Sequence, residues 1–121
     1  MAFEPAGAVD ELWDGEMASC TVGGRKVLLV RIGEAICAYE DRCAHLGVAL
    51  SEGQLDDRVI TCAAHQYQYD ALTGRGINPR AVCLVRFPVR IDAGTISVDV
   101  AAGFRDLDRA ASLGGRDEGQ G

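Results

Sequence analysis

The sequence contains no apolar run near the ~20 residues of a membrane span. Its first residues, MAFEPAGAVDEL, have neither the basic start nor the apolar stretch of a secretion signal. The expectation is a cytoplasmic protein with no membrane association. Positive charge is also scarce: 12 Lys and Arg stand against 18 Asp and Glu, a net charge of −6. Phosphates would be repelled, so no nucleic-acid partner is expected. A small acidic protein instead suits docking on basic patches of partner proteins. There is no internal repeat, no phosphate-cradling glycine loop and no nucleophile–base constellation, so no catalytic residue is expected. Histidine is rare, with only His45 and His65. The five cysteines are odd in number and accompany no secretion signal, which speaks against a disulfide framework.

What is there fits one domain. A chain of 121 residues, 48% hydrophobic, can bury a core without a metal to hold it together. Short strands dominate. EMASCTV (16–22) and RKVLLVRI (25–32) flank Gly23-Gly24, a two-residue hairpin signal, and Gly33-Glu34 leads into AICAYED (35–41), which predicts a meander. RFPVRID (86–92) alternates, with Phe87, Val89 and Ile91 on one side, and Pro88 predicts an edge strand or a strand start. Ile96, Val98 and Val100 alternate through TISVDV (95–100). Only AVDELWDG (8–15) looks helical, for a turn or two, and Trp13 is expected to plug the core. Residues 42–85 are rich in glycine and poor in long apolar runs, and read as a loop-rich insertion into a β base. Cys20, Cys37 and Cys83 fall in apolar stretches and are expected in the core. Asp56-Asp57 reads as a solvated turn.

Both histidines sit beside cysteines: Cys43-x-His45, sixteen intervening residues, then Cys62-x-x-His65. Three explanations compete. Four unrelated residues would not place both histidines at chelating distance from a cysteine. A structural zinc accepts two Cys and two His, but its usual spacings pair Cys with Cys and His with His. A Rieske [2Fe–2S] centre needs two Cys for one iron and two His for the other. Two matched loops, each giving one Cys and one His, supply that set, so this third assignment is favoured and zinc stays as the alternative.

The residues around the ligands carry a resemblance. CAHLG (43–47) followed by CAAH (62–65) resembles the Rieske signature, and residues 50–89 with FEP…VDELWDGEM (3–17) resemble the small Rieske ferredoxins of multicomponent diiron monooxygenases that oxidise toluene-like aromatics or alkenes. The resemblance implies an all-β Rieske fold, a small antiparallel β base with an inserted loop-rich cluster-binding subdomain. It implies a Rieske domain over 1–103 with its cluster-binding subdomain at about 42–85; the small, charged, glycine-rich residues after it, 104–121, read as a flexible tail. It implies one [2Fe–2S] cluster held by Cys43, His45, Cys62 and His65. The implied role is not enzymatic: a monomeric carrier passes electrons from an NADH-dependent flavin reductase to a diiron hydroxylase in hydrocarbon catabolism. Alternatives are the ferredoxin of a ring-hydroxylating dioxygenase, a structural module like the small subunit of nitrite reductase, and a zinc-stabilised module.

Departures from the family pattern are informative. Ala44 and Ala63 replace frequent prolines, and Gln66 replaces a frequent glycine. The disulfide-forming cysteines of high-potential members correspond to Val48 and Ala64, and their sulfur-binding serine to Tyr67. Tyr69 aligns with a tyrosine that can hydrogen-bond a ligand sulfur. Two thiolates cancel the core charge and neutral imidazoles add nothing, so reduction starts from a formally neutral centre. That puts Rieske potentials at roughly −150 to +300 mV. Without the disulfide and the serine donor, this chain is expected near the low end. The resemblance also implies that Leu46 and Gln66 surround the exposed imidazole edges, and that Gly76 and Pro79 shape a third loop covering the cluster.

Overall fold

The computed structural model describes residues 3–43, 48–63 and 66–105. The predicted meander forms the centre. Strands β2 (Glu16–Val22), β3 (Arg25–Ile32) and β4 (Ala35–Glu40) pair antiparallel through the two-residue loops at 23–24 and 33–34. Gly23 and Gly24 have φ of 57° and 81°. Positive φ at both positions is what a tight right-twisted hairpin needs, and glycine adopts it with no Cβ to clash. Strand β9 (Val85–Phe87) pairs beside β4, and β12 (Phe104–Arg105) beside β9, giving a five-stranded sheet in the order β12-β9-β4-β3-β2.

Two further sheets cover this one. Strands β1 (Glu4–Ala8), β11 (Thr95–Val98) and β10 (Val89–Asp92) form a three-stranded sheet in that order. Strands β5 (Gln54–Asp56), β6 (Val59–Thr61), β7 (Gln68–Asp70) and β8 (Gly76–Asn78) form a four-stranded meander inserted between β4 and β9. Among the described residues the only helical pieces are three single 3-10 turns. The molecule is all-β.

Strand β3 explains the layering. Its residues Val27, Leu28, Leu29 and Val30 are all buried, yet successive side chains of a strand point to opposite faces. Val27 and Leu29 join a core with Ala38, Phe87, Ile96 and Val98 under the three-stranded sheet. Leu28 and Val30 join a second core with Cys37, Tyr39, Leu50, Ile60 and Leu84 under the four-stranded sheet. This is why RKVLLVRI lacks alternation at its centre. Burying four such side chains contributes roughly 6–12 kcal/mol before chain entropy is charged against it.

Several expectations are corrected. The helical reading of 8–15 reduces to one 3-10 turn, Val9–Glu11, and Trp13 is 70% exposed rather than a core plug. The stretch 4–8 becomes a strand although EPAGA has no strong strand former, because the edge of β11 offers it a ladder. RFPVRID is two strands: β9 lies in the central sheet and β10 in the three-stranded one. Pro88, with no N–H to give a ladder, marks the crossing. Ile91 is consequently exposed, and β11 ends at Val98, with Val100 opening a 3-10 turn. Phe104 and Arg105, assigned by sequence to the flexible tail, pair with Arg86 and Val85. Residues 106–121 lie outside the described residues.

Candidate metal centre

Two loops of equal span approach the inserted sheet. The first begins where β4 ends: the Cys43 N–H donates to the Val48 carbonyl at 2.7 Å. The second begins where β6 ends: the Cys62 N–H donates to the Tyr67 carbonyl at 2.7 Å. In each, the cysteine opens a six-residue loop that its own amide closes onto the carbonyl five residues ahead. The second loop is tightened further by the Gln66 N–H donating to the Cys62 carbonyl at 3.0 Å. Gln66 has φ 58°, a left-handed conformation unusual for a non-glycine residue. The frequent glycine of the Rieske pattern at this position therefore has a local backbone reason.

The structure brings Cys43 and Cys62 together in one buried core, each almost wholly shielded from water. His45 and His65, together with Leu46, lie outside the described residues. Leu50, Ile60, Ala71 and Leu84 belong to the same buried core as the thiols, and Val48 and Tyr67 pack against it. Tyr69, at the centre of β7 opposite Ile60, brings its hydroxyl to 3.4 Å from Cys43 Sγ. With the sulfur as a thiolate, the phenol is the donor. Two shielded sulfurs, one facing a phenolic donor, suit anionic ligands whose charge a metal centre neutralises; unneutralised thiolates in an apolar core would be strongly disfavoured. The described part of the donor set thus fits an iron–sulfur centre.

One anchoring residue carried no local signal in the sequence. Asp41 is buried two positions before Cys43 and accepts from Ser19 Oγ at 3.0 Å, Ser51 N at 2.9 Å and Ser51 Oγ at 2.7 Å. Its own N–H donates to the Lys26 carbonyl at 3.1 Å. One carboxylate therefore ties β2, the start of the first loop and the 3-10 turn Leu50–Glu52 together. Only the tertiary fold brings Ser19 and Ser51 to it.

The remaining candidates are structural. The Tyr39 hydroxyl donates to the Ala71 carbonyl at 2.7 Å, and burial, then the neighbouring Cys37 thiol, push its phenol far above the ordinary range. Cys37 Sγ accepts from Arg86 Nη2 at 3.6 Å and donates to the Leu72 carbonyl at 3.7 Å. Cys83 is buried and donates to the Leu84 carbonyl at 3.7 Å. Cys20 is only half-buried, and burial, then the charge of Asp41, raise its thiol pKa. Asp56 and Asp57 are exposed at the turn between β5 and β6. Gly76 opens β8 and donates to the Val82 carbonyl at 2.8 Å; a Cβ there would collide with the carbonyls of Pro79 and Val82. The segment 79–84 thus folds tightly back on β8, and its Val82 packs against the core that holds both thiols.

The chain is similar to known proteins. The chain is 45% identical over 92 residues to the alkene monooxygenase system ferredoxin component of Xanthobacter autotrophicus (strain ATCC BAA-1158 / Py2), covering 75% of each. It is 32% identical to the anthranilate 1,2-dioxygenase ferredoxin subunit of Burkholderia cepacia, covering 81% of this chain and 92% of that one. Among solved structures, a chain in the complex of reduced oxygenase and oxidized ferredoxin in carbazole 1,9a-dioxygenase superposes with a TM-score of 0.72 at 31% identity, covering 79% of this chain and 91% of that one. Residues 2–88 match the Rieske [2Fe-2S] domain, and the chain belongs to that family.

Proposed function

We propose that this chain is the soluble ferredoxin of an oxygenase system, an electron carrier with no substrate chemistry of its own. The observation that carries the reading is the pair of loops of equal span that open at Cys43 and Cys62, both shielded in one core, with a phenol hydroxyl 3.4 Å from one sulfur. Cys43, His45, Cys62 and His65 would hold one [2Fe–2S] cluster, which supplies a site that takes up and releases one electron. The chain's own residues do the rest. The two thiolates bring negative charge to one iron, Tyr69 donates to one of them, and Leu50, Ile60 and Leu84 keep water from the sulfurs. Asp41 holds the first loop in register with the sheet. The cluster-binding unit would be the insertion at about 42–85 within a Rieske domain over 1–103.

The 45% identity to an alkene monooxygenase ferredoxin component supports a monooxygenase system. There, electrons would come from an NADH-dependent reductase and pass to a diiron hydroxylase acting on an alkene or aromatic hydrocarbon, in the cytoplasm. Among the described residues no helix is long and apolar enough to cross a membrane. A second reading, the ferredoxin of a ring-hydroxylating dioxygenase, is supported by the 32% identity to an anthranilate 1,2-dioxygenase ferredoxin subunit.

The test has two steps. The purified protein should be coloured, bleach partly with dithionite and then show a rhombic paramagnetic resonance signal, and Cys62→Ser should abolish all three. A colourless protein holding one zinc per chain would defeat the cluster assignment. The coloured protein should then restore NADH-driven turnover to a diiron hydroxylase system lacking its ferredoxin; turnover restored only in a dioxygenase system would select the second reading.

A further inference from the structure

The sequence suggests an acidic protein that docks on basic patches. The structure points the other way for the face beside Cys43. The described residues hold ten cationic side chains. Five are committed within the fold. Arg25 pairs with Glu40 at 3.2 Å and Arg58 with Asp70 at 3.5 Å. Arg31 donates to the carbonyls of Val9, Leu12 and Gly33. Arg86 donates to Cys37, and Arg90 lies over the Phe3 ring at 4.7 Å.

The other five are Lys26, Arg42, Arg75, Arg80 and Arg105. All are exposed, and none has a carboxylate partner among the described residues. They are not scattered. Lys26 and Arg42 line one shallow depression. Arg42 and Arg105 line the next, whose floor includes Cys43 and Cys83. Cys83 bridges to Arg75 across the backbone, and Arg75 and Arg80 line the third depression with Ile77, which is 43% exposed. The strip thus runs past a candidate ligand cysteine. Of the two acids along it, Glu40 is already paired with Arg25 and Asp41 is buried in its three hydrogen bonds. The depression that includes Cys62 is lined otherwise by Glu52, Gly53, Gln54, Thr61, Ala63 and Gln66, with no cation.

Like charges left without partners on an exposed strip are held there against mutual repulsion, in a chain with acids to spare elsewhere. Interfaces arrange their potentials to be complementary, and an apolar core within a polar rim is their usual composition. We infer that this strip is a docking surface for the oxygenase component, which would present carboxylates around an apolar recess that takes Ile77. The inference rests on the carrier reading; the oxygenase is chosen because the solved complex this chain resembles joins an oxygenase to a ferredoxin. Docking here would bring the partner against the Cys43 side of the site.

The experiment titrates the full cluster-loaded chain into its oxygenase component by calorimetry, at low and at physiological salt. Arg75→Glu/Arg80→Glu should weaken binding by about tenfold at low salt and flatten the salt dependence, with an unchanged visible spectrum. Arg75→Gln/Arg80→Gln should give a smaller loss in the same direction, and Glu52→Lys should stay within about twofold. Binding unchanged by the double reversal, a loss equalled by Glu52→Lys, a loss seen only towards the reductase, or no binding by the unaltered protein would each overturn the inference. The carrier reading is scored separately by single-turnover electron transfer. Tight, salt-sensitive binding without electron transfer would sink that reading and leave the docking surface standing.

Discussion

Replacing Tyr69 by Phe removes one oxygen and keeps the ring in its fully buried place on β7. That oxygen lies 3.4 Å from Cys43 Sγ. If the sulfur ligates a cluster, the hydroxyl donates to it, and the bond strengthens as the cluster gains an electron and the sulfur gains charge. A net hydrogen bond is worth about 0.5–1.5 kcal/mol. For a one-electron couple, about 1.4 kcal/mol corresponds to 59 mV. If the bond's net worth falls mainly on the reduced state, Tyr69→Phe lowers the midpoint potential by roughly 20–65 mV. The assay is a spectroelectrochemical titration of the two cluster-loaded proteins side by side, with thermal melts to show that the fold survives. A midpoint that rises, or that moves by less than about 10 mV with both proteins fully loaded, refutes the reasoning. The phenol would then be only a packing group.

Gln66→Gly should stabilise the protein by about 0.5–1 kcal/mol, read as a higher urea midpoint at unchanged slope, because it relieves a left-handed side-chain position at φ 58°. Gly74→Ala should destabilise it by about 2–4 kcal/mol in the same assay: φ is +81°, and the new Cβ would sit 2.8 Å from Cε1 of the fully buried Tyr39. Asp41→Ala should cost about 2–3 kcal/mol, since it strands the Ser51 amide and two hydroxyls, whereas Ser19→Ala should cost less than half as much. Native Cys20 should react with iodoacetamide at a rate still climbing above the pH where an ordinary thiol has levelled off, because burial and then Asp41 raise its pKa. The sign follows: a raised folded pKa gives stability that is fully present below the unfolded thiol's pKa and is lost as pH rises through the folded value.

The sequence is legible where structure is local. Gly23-Gly24 announces its hairpin because that turn needs positive φ twice, and both glycines have it. The four ligand candidates stand out because Cys and His recur at chelating spacing, and both cysteines belong to one buried core. What stays hidden depends on distant partners. Strand β1 exists because β11 has an edge to fill, which nothing in EPAGA shows. The alternation of Phe87, Val89 and Ile91 looks continuous, but the chain changes sheets at Pro88, a fact that needs both sheets in place. Trp13 is misjudged because aromatic bulk usually means burial, while here it follows a 3-10 turn on the surface. Asp41 is one aspartate among many until Ser19 and Ser51 converge on it.

The five-stranded sheet works as a party wall. Val27 to Val30 furnish rooms on both sides of it, so loosening one core should disturb the other. Melting should therefore not divide at the boundary of the insertion: a disturbance around Cys43 and Cys62 reaches Ile96 and Val98 through a single strand. Free energy gained by loading the metal centre is consequently shared between both cores, and a chemical event beside one becomes a mechanical property of the other.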